Sequence, residues 1–88
     1  MEDKYWIGKN ILITGINGFI GGNLAKSLVY KGANVIGLMR NQKKGTLLYV
    51  DNIIDDITIV NGELTDNELL FRIISEEMVE HVFHLAAQ

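Results

Sequence analysis

The chain has 88 residues, 48% hydrophobic and 22% charged, which suits one folded domain and excludes a disordered tail. Eight basic residues against eleven acidic ones leave a formal charge of −3. That gives no electrostatic case for nucleic acid or an anionic membrane as the main partner.

The absence of cysteine removes disulfides, thiolate metal sites and a cysteine nucleophile. The N-terminus, Met1-Glu2-Asp3-Lys4-Tyr5, mixes charges and lacks the basic and apolar regions of a secretion signal. No apolar run approaches the roughly 18 residues of a membrane span. A cytoplasmic protein is expected, with no membrane and no nucleic acid among its partners. Proline is absent, glycine numbers nine, and no linker or repeat divides the chain.

Asn10-Ile11-Leu12-Ile13-Thr14 is a short apolar run ending at glycine, and reads as a strand buried on both faces. From Gly18 to Tyr30, Phe19, Ile20, Leu24, Leu28 and Val29 recur at helical spacing. Lys31-Gly32 suits the end of that helix. Ala33 to Met39 reads as a second strand, and Arg40 to Gly45 as a polar, basic loop. Thr46 to Ile54 reads as a short helix or turn. Ile57-Thr58-Ile59-Val60 alternates in β-branched residues and reads as a third strand. Asp66 caps a helix through about Glu77, with Leu69, Leu70, Ile73 and Ile74 on one face. His81 to Ala86 reads as a fourth strand.

Strands and helices alternate, which predicts an α/β fold with a parallel sheet. Right-handed crossovers constrain the layout. With strand order 3-2-1-4, the first two crossovers share one face and the third covers the other.

The sharpest motif is Thr14-Gly15-Ile16-Asn17-Gly18-Phe19-Ile20-Gly21, between a strand and a helix. A dinucleotide-binding loop requires that context. Gly15 permits the tight turn off the strand. Gly18 lets backbone approach a pyrophosphate, and Gly21 lets the helix pack close to the strand. The helix N-terminus then offers N–H groups and a positive dipole end to phosphate. The spacing is G-x-x-G-x-x-G rather than G-x-G-x-x-G. A glycine-rich turn without a ligand is the plainer alternative. No Gly-Lys-Ser/Thr follows, which argues against an ATPase-type phosphate loop.

The segment T-G-x-x-G-F-I-G resembles the extended short-chain dehydrogenase/reductase family, the NAD(P)-dependent sugar-nucleotide epimerases and dehydratases. Asn61-Gly62-Glu63-Leu64-Thr65-Asp66 resembles the family's G-D-L-x-D. Val82-Phe83-His84-Leu85-Ala86-Ala87-Gln88 resembles its V-x-H-L-A-A. Trp6-Ile7-Gly8-Lys9, Gly21-Gly22, Gly32-Ala33 and the final Ala-Ala-Gln look closest to CDP-glucose 4,6-dehydratases, with GDP-mannose 4,6-dehydratases as near neighbours. The resemblance implies the N-terminal part of a Rossmann-type doubly wound sheet, covering residues 1–88. It implies a dinucleotide cofactor, a sugar-nucleotide substrate for the full-length protein, and a homo-oligomer.

It also implies site residues. Gly15, Asn17, Gly18, Phe19, Ile20 and Gly21 would hold the cofactor pyrophosphate. Glu63 and Leu64 stand where the family places an Asp and an apolar residue around adenine. Leu85, Ala86 and Ala87 would line the ribose and pyrophosphate, with Gln88 at the mouth. NAD-binding folds carry a carboxylate about 20 positions past the glycines. This sequence has Met39-Arg40-Asn41 there. Arg40, backed by Lys43 and Lys44, could hold a 2′-phosphate, or could be a solvated basic loop. NAD and NADP both stay open, with Arg40 tipping the choice toward NADP.

His84, inside an apolar strand, reads as a packed structural histidine and His81 as the strand's exposed start. Tyr5-Trp6-Ile7-Gly8-Lys9 fits the family's catalytic Tyr-x-x-x-Lys but precedes the first strand, on the wrong side of the sheet. Trp6 reads as packing the N-terminal segment onto the fold. No catalytic or metal-ligating residue is assigned. The family's Tyr-x-x-x-Lys and sugar-nucleotide domain are expected outside these residues, so the chain reads as the NAD(P)-binding segment of a nucleotide-sugar dehydratase (a lyase) or epimerase. A non-catalytic dinucleotide-binding module and a truncated remnant are the alternatives. A sheet with one thinly covered face and a free edge at strand four should be weakly stable alone, or self-associate.

Overall fold

The computed structural model describes residues 4–39, 48–63 and 65–85. The elements are β1 (Asn10–Thr14), α1 (Phe19–Tyr30), β2 (Asn34–Met39), a 3₁₀ segment (Leu48–Asp56), β3 (Ile57–Asn61), α2 (Asn67–Glu76) and β4 (His81–His84). The strands form one parallel sheet in the order β3-β2-β1-β4. This is the α/β architecture that the alternation predicts, with the expected strand order 3-2-1-4.

Period-two alternation divides the core between the faces of the sheet. On one face Ile11 and Ile13 of β1 and Val35 of β2 pack with Ala25 and Leu28 of α1 and Val50 of the 3₁₀ segment. On the other face Leu12, Ile36 and Leu38 pack with Ile73 of α2. The first two crossovers therefore share one face and the third takes the other.

Small residues bring α1 close to the sheet. Its buried residues are Gly21, Gly22, Ala25 and Leu28. Phe19 and Ile20, which continue the apolar spacing in sequence, are instead 66% and 70% exposed at the helix start. The helix ends on Gly32, at φ +91. The Gly32 and Ala33 amides donate to the Val29 and Leu28 carbonyls, each at 3.0 Å. That double closure satisfies the last carbonyls, and a positive φ at its centre favours glycine.

The run after the basic loop forms 3₁₀ turns rather than an α-helix. Val50 and Ile53 interrupt them at φ −120 and −123. α2 starts where the sequence sets a cap: the Asp66 carboxylate accepts from the Leu69 amide at 3.0 Å. Its inner side carries Ile73, Leu69 and Leu70. Ile74 lies at the rim and Phe71 faces out. No helix among the described residues is long and apolar enough to cross a membrane.

β4 is the thinly covered strand. Phe83 packs toward α1, while Val82 is half-exposed on the opposite face. The strand ends at His84, short of the expected Ala86, which lies outside the described residues. Leu85 still extends the pairing, because its amide donates to the Thr14 carbonyl at 3.3 Å.

Candidate dinucleotide-binding site

The chain runs β1, β2, β3 outward, then returns to place β4 on the other side of β1. The junction of β1 and β4 is thus the point where the winding reverses. Open α/β sheets bind ligands there, outside the carboxyl ends of the strands. The Gly15–Gly21 loop leaves β1 at that junction.

Three glycines of the loop do different work. Gly15 turns the chain at φ +77. A Cβ on it would collide with the Leu85 carbonyl, just past β4. Gly21 lies in the first turn of α1, where a Cβ would drive into the Gly15 carbonyl and within 3.1 Å of Ile16 Cα. Gly18 is exposed, and the nearest atom to a Cβ there is the Gly15 carbonyl oxygen, at an ordinary 3.5 Å. Two glycines are therefore demanded by packing. The third leaves the outer side of the loop open.

Gly18 is also the N-cap of α1, with extended backbone at φ −90 and ψ 172. It has no side chain to cap the first-turn amides, and the first turn holds no acidic residue. The positive end of the helix dipole meets no carboxylate of its own. Asn17 is half-buried and Ile16 is fully buried. Phe19 and Ile20 flank the opening as exposed apolar side chains.

The other strand ends converge on the same edge. Gly62 donates to the Met39 carbonyl at 2.9 Å, so β2 and β3 stay paired up to Gly62, next to Glu63. Glu63 is exposed, and its carbonyl accepts from Asp66 at 3.1 Å. Leu85 is half-buried against Gly15. The structure thus brings Gly15, Asn17, Gly18, Phe19, Ile20, Gly21, Glu63 and Leu85 to one edge of the sheet. Arg40, Leu64, Ala86 and Ala87, with Lys43, Lys44 and Gln88, lie outside the described residues.

His84 corrects an expectation. It is exposed rather than packed, because the face of β4 that carries Val82 and His84 has no helix over it among the described residues. Its Nδ1 lies 2.9 Å from Oγ1 of the buried Thr14. Oγ1 also accepts from the Leu85 amide at 3.1 Å. Thr14 stood in the motif only as its first letter. The tie needs the β1–β4 register, which places Thr14 opposite His84.

At the other end of the sheet, Tyr5 shares a hydrogen bond of 2.7 Å with Nε2 of His81, the first residue of β4. Lys9 Nζ lies 4.8 Å from the centre of the Tyr5 ring and 3.7 Å from Glu80. Tyr5 and Lys9 are thus structural partners, on the edge opposite the glycine loop.

The fold and the loop resemble the N-terminal NAD-binding region of sugar-nucleotide dehydratases and epimerases of the extended short-chain dehydrogenase/reductase type. The family model described as GDP-mannose 4,6 dehydratase matches residues 12–88, and the chain belongs to that family. It is 36% identical over 87 residues to the GDP-mannose 4,6-dehydratase of Yersinia enterocolitica, covering 91% of this chain and 23% of that protein. It superposes on the NAD complex of dTDP-glucose 4,6-dehydratase from Bacillus anthracis with a TM-score of 0.81 and 33% identity, covering 92% of this chain and 27% of the other. For UDP-glucose 4-epimerase from Thermotoga maritima, solved with UDP-glucose, the TM-score is 0.74 at 35% identity, covering 90% and 24%. The chain spans about a quarter of the length of these three relatives.

Proposed function

We propose that this chain is the NAD(P)-binding segment of a nucleotide-sugar 4,6-dehydratase or epimerase, holding the cofactor pyrophosphate over Gly15–Gly21. The observation that carries this reading is the contrast among the glycines. Gly15 and Gly21 are closed in by backbone, while Gly18 leaves an open approach to a helix N-terminus whose N-cap residue offers no side chain. A pyrophosphate fits such a place, since backbone N–H groups and the helix dipole both favour an anion.

In this reading Gly18, Asn17 and the first turn with Phe19 and Ile20 cradle the pyrophosphate. Glu63 and Leu64 flank the adenine. Leu85, Ala86 and Ala87 lie along the ribose and pyrophosphate. Bound nicotinamide would supply the hydride acceptor, and the residues described here bind and orient it. NAD in the dehydratase from Bacillus anthracis supports a nicotinamide dinucleotide. Arg40 favours the 2′-phosphate of NADP. The family match makes GDP-mannose the first sugar nucleotide to try, and CDP-glucose the second. We place the protein in the cytoplasm, as a homo-oligomer.

The test is titration with NADH and with NADPH, followed by nicotinamide fluorescence. Both should bind, and Arg40→Ala should weaken NADPH more than NADH. Binding of neither cofactor by the folded chain would overturn the reading.

A further inference from the structure

We infer that His84, acting through Thr14, is a positioning residue for the glycine loop; this rests on reading Gly15–Gly21 as the dinucleotide loop. Thr14 is 4% exposed, and its hydroxyl oxygen has two neighbours, the Leu85 amide and His84 Nδ1. The amide can only donate, so Oγ1 accepts there. A threonine hydroxyl carries one proton, and it needs an acceptor when buried. Among the described residues Nδ1 is the acceptor in reach. The hydroxyl therefore donates to Nδ1, and the ring carries its proton on Nε2.

The relay does not stop at Leu85. Its amide is held by both the carbonyl and the hydroxyl of Thr14. Its own carbonyl presses on Gly15 where a Cβ would be. The Gly15 carbonyl in turn accepts from Gly18 at 3.0 Å and abuts Gly21. An exposed ring on β4 thus sets the hydroxyl, the hydroxyl sets Leu85, and Leu85 bounds the loop. Losing the acceptor frees the Thr14 hydroxyl to rotate and loosens the wall against which Gly15 turns. The fold does not need His84 for burial, since its ring is exposed.

NADH titration of the wild type, His84→Leu, His84→Asn, Thr14→Val and the double variant His84→Leu/Thr14→Val tests this. Each is measured below its melting transition. The amide resonances of Gly15 and Gly18 are recorded without ligand. His84→Leu should bind NADH about fivefold more weakly, the scale of one neutral hydrogen bond. His84→Asn, whose Oδ1 can replace Nδ1 as acceptor, should restore the affinity. The double variant should bind no more weakly than Thr14→Val alone. A His84→Leu chain that melts earlier but binds NADH like the wild type would overturn the inference. So would additive losses in the double variant. If the wild type binds no NADH, the cofactor reading falls and the Gly15 resonance decides. A shift in His84→Leu that His84→Asn reverses supports the relay, and an unmoved resonance overturns it.

Discussion

Ile16 of the glycine loop is seated on Gly37 in the middle of β2. A Cβ at Gly37 would lie 2.6 Å from Ile16 Cδ1 and 2.8 Å from its Cγ2. Ile16 is fully buried, and Gly37 pairs with Ile13 of β1. The missing side chain in β2 is the socket that holds the loop down. The loop's outer backbone can then stay open while its middle residue is locked into the core.

Gly37→Ala should therefore destabilise the chain by about 1–3 kcal/mol, the range of an overpacked core. This opposes the usual gain from replacing glycine in a strand. Adding Ile16→Val removes Cδ1 and should return part of the loss. Urea denaturation of both variants checks it. A Gly37→Ala chain as stable as the wild type would show that the socket has slack.

Gly18 and Gly21 should separate binding from folding. At Gly18 an alanine meets only ordinary contact at a φ it adopts freely. Its cost should stay within about 1 kcal/mol, the scale of a poorer N-cap. NADH affinity should nevertheless drop about tenfold or more, since the Cβ intrudes on the backbone approach. At Gly21 an alanine meets the Gly15 backbone, which cannot give way. A helical Gly→Ala normally gains up to ~1 kcal/mol. Here it should lose more than ~2 kcal/mol. Thermal melts and NADH titrations read both. Equal melting losses in the two variants would refute the division.

What was legible in the sequence was whatever a local pattern carries. β1 matched its predicted bounds, because a buried parallel strand is a bare apolar run. The start of α2 was readable from Asp66 and the end of α1 from Gly32, because caps are local chemistry. The parallel α/β class followed from the alternation of strands and helices, and the sheet order came with the Rossmann-type resemblance. The loop glycines could be placed, but Gly37 could not be matched to Ile16, since that contact depends on the β1–β2 register. His84 was misread for the opposite reason. An apolar run suggests burial on both faces, yet whether a helix covers one face of β4 is not written in β4. Phe19 and Ile20 fit a helical stripe by spacing, but Gly21, Gly22 and Ala25 make the actual contact with the sheet.

Asp66 offers the cleanest stability test. Its carboxylate takes the Leu69 amide and stands at the positive end of α2. Asp66→Ala should cost about 1 kcal/mol, and Asp66→Ser should retain most of the cap. For a domain of this size, that corresponds to a melting-point fall of about 4–8 °C for the alanine variant. Circular dichroism melts would show it, and an alanine chain that melts with the wild type would mean that α2 is held by Ile73 and its neighbours alone.

Trp6 should stabilise the fold without touching the site. It is partly buried against the α1-side core, and its ring lies 5.4 Å from His81 and 6.2 Å from Phe83, centre to centre. The turn that carries it is pinned by Gly8 donating to Gly32 at 2.9 Å, and Asn34 donates to Lys9 at 2.8 Å. All of this sits where β2 and β4 begin, at the edge opposite the glycine loop. Trp6→Ala should lose about 2–3 kcal/mol, somewhat less than a fully buried aromatic. Trp6→Phe should lose less, because a ring still fills the space beside Phe83. NADH affinity of the folded fraction should be unchanged in both, as the relay through Thr14 and Leu85 lies at the far end of β4. Denaturation followed by circular dichroism, paired with NADH titration at low temperature, separates the two quantities. A loss of affinity in a fully folded Trp6→Phe chain would mean that β4 transmits displacement along its whole length, and that the two edges of the sheet are coupled.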